Sequence, residues 1–524
     1  MDDAAGSWEV DDHVDLAISE LLYARAAATP DDIYLTFRNV PVTVCELARD
    51  VDRYAAALRS LGVGRGDRLL IMMPTNPDHV ALFLASVVLG AVSVPADVRS
   101  KAAQLGHLLG NAQPSVLVFD DAYRDQVAEA VAGCEEWAAD GDLIDLLGAG
   151  IRALRRLDGD NRMADEVPDD LVSLIYTSGT SGPPKGTLIT DRMLRVCATG
   201  VRRTTHPMQG DVFFQWEPLN HVGGTQLIVL ALQHRITLAL ATSFSASRFW
   251  EQVRASGASH IHYLGGVLQM LHAAPPAPSD RAHAVRVAWG AGCTTEIWRS
   301  FEERFGVEIR EVYGLTETSS INTLNDERVV GSMGKPTPEF LVQVVDDQGS
   351  VVGPGAVGEI RIRGVEPGMT TPGYFRNPAA SSSLYRDGWL YTKDLAYADD
   401  AGHLHFVGRR TDSVRRRGEN ISAWEVERIV REHPDVEECA LIGVPSELGE
   451  QDLKLFVQPA AGSSLNWGEL NRWCLDRMPK HHVPRYFSAI DSFQRGPSMR
   501  IVKSELSRDT VDSWDREAHA STGV

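Results

Sequence analysis

Residues 174–186 read Leu-Ile-Tyr-Thr-Ser-Gly-Thr-Ser-Gly-Pro-Pro-Lys-Gly, an apolar strand that breaks into a loop. The loop offers the glycines Gly179, Gly182 and Gly186, the hydroxyls of Thr177, Ser178, Thr180 and Ser181, and the ammonium of Lys185. Glycine lets backbone N–H groups converge on an anion, and hydroxyls with a cation complete a phosphate cradle. The spacing is not GxxxxGK[ST], so this is no Walker A loop. A solvated turn uses the same Gly, Ser and Pro residues. The lysine decides between the two readings: of 51 basic residues only 7 are lysine, so one placed in this loop points to phosphate.

Outward from this loop the chain alternates. The runs 67–74, 114–120, 236–242 and 285–292 are short and apolar, as buried strands are, while 43–61 and 246–256 carry the spacing of amphipathic helices. Such alternation indicates an α/β fold with largely parallel sheets. Residues 341–364 are rich in β-branched residues and glycine turns and read as an antiparallel β region. The last stretch reads as α+β, with a helix at 423–433, a strand at 438–444 and a frayed polar tail after about 507.

A chain of 524 residues holds a few domains, and its net charge of -20 argues against a broad nucleic-acid or anionic-membrane surface. An anionic ligand must therefore be held by a local constellation. The 6 cysteines are scattered without a CxxC pair and read as free thiols of a reducing compartment. The acidic N-terminus lacks an apolar leader, and the uncharged run Val80–Ala96 reads as a buried helix followed by a strand, too short for a membrane span. A cytoplasmic protein is expected.

Five further stretches follow the loop in order: EPLNHVGG (217–224), WGAGC (289–293), VYGLTET (312–318), DGWLYTKDL (387–395) and VGRRTDSVRRRGENIS (407–422). Together with the loop they resemble the signatures of the adenylate-forming superfamily, which includes acyl-CoA synthetases, luciferases and peptide-synthetase adenylation domains. The resemblance runs from about residue 20 to 505. RRGENIS, GAG and FSASRFW (244–250) are most similar to acyl-CoA ligases of the carnitine/crotonobetaine type.

The resemblance implies a large N-terminal domain, 1–408, of mixed α/β subdomains with a β-rich subdomain. A small mobile α+β C-terminal domain, 409–524, follows a hinge at Asp412. It implies an ATP- and Mg²⁺-dependent enzyme that joins a small carboxylic acid to the α-phosphate, releases pyrophosphate and passes the acyl group to CoA. Thr177, Ser178, Gly179, Thr180, Ser181, Gly182 and Lys185 match the loop over the β- and γ-phosphates. Thr316 matches the α-phosphate contact and Glu317 the residue that places Mg²⁺; outside this motif a lone glutamate there reads as a carboxylate favoured by a helix N-terminus. Tyr313 matches the residue that stacks on adenine, with Gly290, Ala291, Gly292 and Gly314 also matching the nucleotide site; Asp394 matches the ribose contact, and Arg409 a donor to the ribose or phosphate. His221 matches a gate between the acid and thiol channels. Trp216, Gly223, Trp289 and Cys293 match the acid pocket, and Gly418, Glu419 and Asn420 a loop on the CoA side.

Two positions depart from the family pattern. Arg500 stands where the family has a catalytic lysine, and a planar guanidinium does not replace a mobile ammonium conservatively. Lys393 replaces the glycine before the ribose aspartate. These departures and Trp289 leave two other readings open. One is an adenylate-forming enzyme with a different acid or acceptor: a nitrite-activating diazotase, an amide ligase or a carrier-protein loader. The other is a degenerate nucleotide-binding homologue.

Overall fold

The computed structural model describes residues 8, 13, 15–148, 150–157, 168–177, 184–410, 413–416, 419–446, 451–496, 499 and 501–521. Its contacts divide into two compact units, one comprising 1–342 and 362–390, the other 343–361 and 391–524.

The first unit is built on two sheets. The seven-stranded sheet runs in the spatial order Ala139–Asp145, Ile151–Arg156, Val116–Asp120, Arg68–Met72, Val92–Pro95, Leu171–Thr177, Lys185–Thr190. Its centre is parallel, as the alternation of strands and helices requires. Arg68–Met72 is buried at every position, which explains why its sequence is apolar throughout instead of alternating. The nine-stranded sheet contains the parallel neighbours Val212–Gln215, His260–Leu264, Val287–Ala291 and Glu308–Tyr313.

The helices begin where the chain supplies a cap. Thr43 accepts from the Glu46 N–H and Glu46 reaches back to the Thr43 N–H, starting the helix Val44–Ser60. Asn76 and Pro77 start Pro77–Val88, and the strand Val92–Pro95 follows it, the helix-then-strand order expected of this uncharged run. None of the described helices is long and apolar enough to cross a membrane. No disulfide joins the six cysteines.

In the second unit the strand Trp389–Ala398 pairs antiparallel with Leu404–Arg409, placing Asp394 opposite Arg409. A four-stranded sheet joins Val436–Pro445, Gln451–Pro459, Tyr486–Ala489 and Trp514–Asp515. The helices Ala423–Arg431 and Trp467–Arg477 cover it, burying Val426, Val430, Leu470 and Cys474 against Leu441, Leu455 and Phe487.

This corrects the reading of a frayed tail. Trp514–Asp515 pairs with Tyr486–Phe487, the Trp514 ring packs edge-on against Phe487, and Arg485 binds Asp515 at 3.2 Å. An aromatic contact and ion pairs to Asp515 and Glu517 anchor a segment whose polar sequence carries no periodic signal.

Candidate active site

The strand Leu171–Thr177 and the strand Lys185–Thr190 pair antiparallel, so Thr177 and Lys185 stand opposite each other at the mouth of the loop. Ser178, Gly179, Thr180, Ser181 and Gly182 lie outside the described residues. The Lys185 ammonium sits 5.2 Å from the centre of the Tyr374 ring, a cation–π distance. The Tyr374 hydroxyl donates to Glu317 Oε1 at 2.8 Å. The Thr371 N–H donates to the Glu317 carbonyl at 2.8 Å, and Thr187 bridges to Tyr374. Tyr374 thus links the lysine of one motif to the glutamate of another.

Glu317 and Thr316 occupy a short turn, Thr316–Thr318, directly after the strand Glu308–Tyr313 and Gly314. Thr316 is buried and Glu317 half-buried. Tyr374 engages one carboxylate oxygen of Glu317. Among the described residues no group of three His, Cys, Asp or Glu side chains is positioned to hold a metal ion. A single carboxylate beside a hydroxyl fits Mg²⁺, which is usually held by one or two carboxylates and substrate phosphates.

The strands His260–Leu264, Val287–Ala291 and Glu308–Tyr313 are in register, placing Tyr263 beside Gly290 and Gly290 beside Glu311. Gly290 has φ +152°, and a Cβ there would lie 1.8 Å from the Tyr263 carbonyl oxygen, so only glycine fits. Glu311 is fully enclosed. It accepts from the Tyr263 hydroxyl at 2.5 Å, the Gly292 N–H at 2.5 Å and the Cys293 N–H at 3.2 Å. Burial outweighs these three donors and pushes its carboxyl up to about 7. Burial and the Glu311 charge also push the Cys293 thiol upward, which makes it a packing residue and not a nucleophile. Tyr313 closes the same strand and is buried beside Gly314.

A third cluster surrounds His221. Its Nδ1 lies 2.9 Å from Glu217 Oε1, and the Nδ1 of His262 lies 2.6 Å from Glu217 Oε2. Glu217 is buried, and burial alone would raise its carboxyl; the charges of His262 and His221 and their N–H groups hold it well below the usual carboxylate range. Gly223 makes room for it, since a Cβ there would sit 2.0 Å from Glu217 Oε2. Trp289 packs its ring 4.2 Å from His262, and the Trp216 indole N–H donates to the His262 carbonyl at 2.8 Å. Both tryptophans are buried.

In the second unit Arg409 Nε donates to Asp394 Oδ1 at 2.9 Å, and Asp394 is buried. Lys393 has φ +62°, the left-handed backbone that suits glycine, and its exposed side chain is carried there at a conformational cost. Glu359 accepts from its N–H at 2.9 Å. Asp412, Gly418 and Arg500 lie outside the described residues, as do the side chains of Glu419 and Asn420.

Arg416, two residues before Gly418, is buried. It pairs with Asp452 at 2.8 Å and donates to the carbonyls of His481 and Val483. Lys503 pairs with Glu427 at 2.8 Å.

The motifs did not reveal four of these participants: Tyr374, Glu311, Glu217 and His262. Glu217 was visible in part, since it opens EPLNHVGG four residues before His221. The other three meet the site only through strand register and a return of the chain.

A family model described as AMP-binding enzyme matches residues 22–375, and one described as AMP-binding enzyme C-terminal domain matches 425–499. The chain belongs to the AMP-binding enzyme family. A crotonobetaine/carnitine–CoA ligase of Salmonella arizonae is 29% identical over 483 residues, covering 88% of this chain and 92% of the relative. Among solved structures, the O-succinylbenzoate coenzyme A synthetase of Bacillus subtilis with AMP superposes with a TM-score of 0.79 at 24% identity, covering 93% and 97% of the two chains. An anthranilate CoA ligase with anthranoyl-AMP gives a TM-score of 0.82 at 20% identity, covering 95% and 98%. The fold is an α/β chain with a large N-terminal and a small C-terminal domain; the alternation of strands and helices led to the α/β class, and the resemblance to the two domains.

Proposed function

We propose that this protein is an ATP-dependent, AMP-forming acid–thiol ligase. It adenylates a small carboxylic acid and transfers the acyl group to CoA, releasing AMP and pyrophosphate. The observation that carries the reading is the Lys185–Tyr374–Glu317 constellation, which gathers a cation, a phenol and a carboxylate from three separate stretches beside the phosphate-loop strands. Both reactants are anions, so catalysis is chiefly neutralisation and alignment.

In this reading the 177–185 loop holds the β- and γ-phosphates, and Thr316 contacts the α-phosphate. Glu317 would hold Mg²⁺, which when bound would neutralise phosphate charge. Gly290, Ala291, Gly292, Tyr313 and Gly314 receive the adenine, and Asp394 and Arg409 the ribose. The Glu311 carboxylate fixes the Gly292–Cys293 backbone from behind. Trp216, Gly223, Trp289 and Cys293 bound the acid pocket. Arg500 takes the role of the missing lysine on the carboxylate and α-phosphate. The C-terminal domain begins near residue 409, turns about Asp412 between the two half-reactions, and brings Gly418, Glu419 and Asn420 to the CoA side. The Salmonella relative's name supports the thiol acceptor, and the protein works in the cytoplasm.

The test is AMP release from ATP and Mg²⁺ across short, long and aryl acids, each with and without CoA. Nitrite with and without an arylamine completes the panel. AMP that depends on one acid and on CoA is the expected result. AMP driven by nitrite or an amine and indifferent to CoA would replace this reading.

A further inference from the structure

We propose that Glu217 and His221 form an oriented general-base pair for the acyl-transfer step, with Glu217 the positioning residue and His221 Nε2 the base. The proposal rests on the acid–thiol ligase reading and adds the proton acceptor that such a transfer requires. An alkyl thiol is largely neutral at pH 7, and the thiolate is the nucleophile. A base held by a third group is the recurring solution to that problem.

The geometry assigns the protons. Glu217 is held as a carboxylate, an acceptor only, and Nδ1 of His221 and Nδ1 of His262 approach its two oxygens at 2.9 and 2.6 Å. A hydrogen on each Nδ1 makes both contacts attractive. The Gly223 N–H also lies 3.3 Å from His221 Nδ1, a longer contact that this assignment leaves unused. With its Nδ1 hydrogen directed at Glu217, the nitrogen of His221 left to take a proton is Nε2, and the side chain is 27% exposed whereas Glu217 and His262 are enclosed.

The support is rigid. His262 is pinned by the Trp289 ring and the Trp216 indole N–H, so its grip on Oε2 fixes the carboxylate that orients His221. The close approach of Gly223 lets that carboxylate lie against the start of the helix Val222–Gln233, where the positive end of the helix favours it. Glu217 is the titratable group in contact with His221, and His262 touches the far oxygen of that same carboxylate.

In the step, His221 Nε2 takes the S–H proton as the sulfur lone pair attacks the acyl carbon of the adenylate. The C–S bond forms, the C–O bond to phosphate breaks, and the electron pair leaves on AMP. Products are thioester, AMP and an imidazolium, stabilised by Glu217, that returns its proton to solvent.

The experiment gives one bound adenylate two competing fates. Crotonyl-AMP and benzoyl-AMP are supplied to the enzyme with either pyrophosphate, which returns ATP, or CoA, which gives thioester. Attack by pyrophosphate removes no thiol proton. In Glu217→Gln, thioester formation at pH 7 falls about 100-fold, within the range of general-base contributions. ATP return falls at least tenfold less. The thioester deficit narrows as pH rises through the alkyl-thiol range, because solvent then supplies the thiolate. His221→Gln, at a partly exposed site, follows the same pattern and serves where Glu217→Gln does not fold.

Equal losses in both fates, or a deficit that does not move with pH, would overturn the base pair and leave Glu217 structural. A wild-type enzyme that returns ATP but makes no thioester would overturn the CoA reading and this proposal with it. Unaltered thioester formation in the variants would overturn this proposal alone.

Discussion

Glu311 gives the account a quantitative test through Glu311→Gln. Its carboxyl is enclosed between the strands that carry Tyr263 and Gly290, and burial raises it from an ordinary 4.5 to about 7. The folded-state value lies above the unfolded one. Stability is therefore fully present below pH 4.5 and is lost as pH rises toward 7 and the enclosed group must ionise. At 1.36 kcal/mol per pH unit, the loss between pH 4.5 and 8 is about 3 kcal/mol. Three donors face this side chain, from Tyr263, Gly292 and Cys293. A glutamine reproduces the protonated carboxyl: its oxygen accepts, and its amide opposes one donor at about the cost that the acid's own proton incurs. Urea unfolding followed by tryptophan fluorescence should find the two proteins within about 1 kcal/mol at pH 4.5. The variant should then be more stable by about 3 kcal/mol at pH 8. Its nucleotide affinity should fall, because the Gly292–Cys293 backbone loses an ionised anchor. Stability curves that run parallel from pH 4.5 to 8 would refute the claim that burial, and not the three donors, governs Glu311.

Lys185→Ala should lower AMP formation by about 10²-fold or more, as loss of a transition-state charge contact does, with folding unaffected; adenylation at the wild-type rate would remove the loop from the mechanism. Arg500→Lys should preserve or raise turnover, measured as AMP release. Its abolition, a change of about 10²–10³-fold, would make Arg500 a specific adaptation. Arg416→Ala should destabilise the protein by about 3 kcal/mol in urea unfolding, because it breaks a buried pair with Asp452. Wild-type stability in the variant would refute the claim that this buried pair supports the fold.

The regular elements were legible because their physics is local. The apolar spacing of 43–61 announces the helix Val44–Ser60, and the continuous apolar run 67–74 announces the enclosed strand Arg68–Met72. The motifs likewise named Lys185 and Glu317. They could not show that Tyr374 joins them, since that contact depends on the chain returning to bridge Thr187. Glu217 stood inside a motif without a role because its partner His262 lies 45 residues on, in a neighbouring strand, and reads there as an ordinary buried residue. The tail misled for the same reason: Trp514 meets Phe487 across the sheet, a long-range contact that periodicity does not encode. Lys393 departs from the family glycine in sequence, but only its φ of +62° shows that the position retains the glycine conformation.

The central claim is that an acid oxygen attacks the α-phosphate. Once the acid is identified, its carboxylate can be labelled with ¹⁸O and the AMP released in the presence of CoA weighed by mass spectrometry. The account predicts AMP carrying one atom of label, delivered when the acyl group departs to the thiol. AMP without label would contradict it.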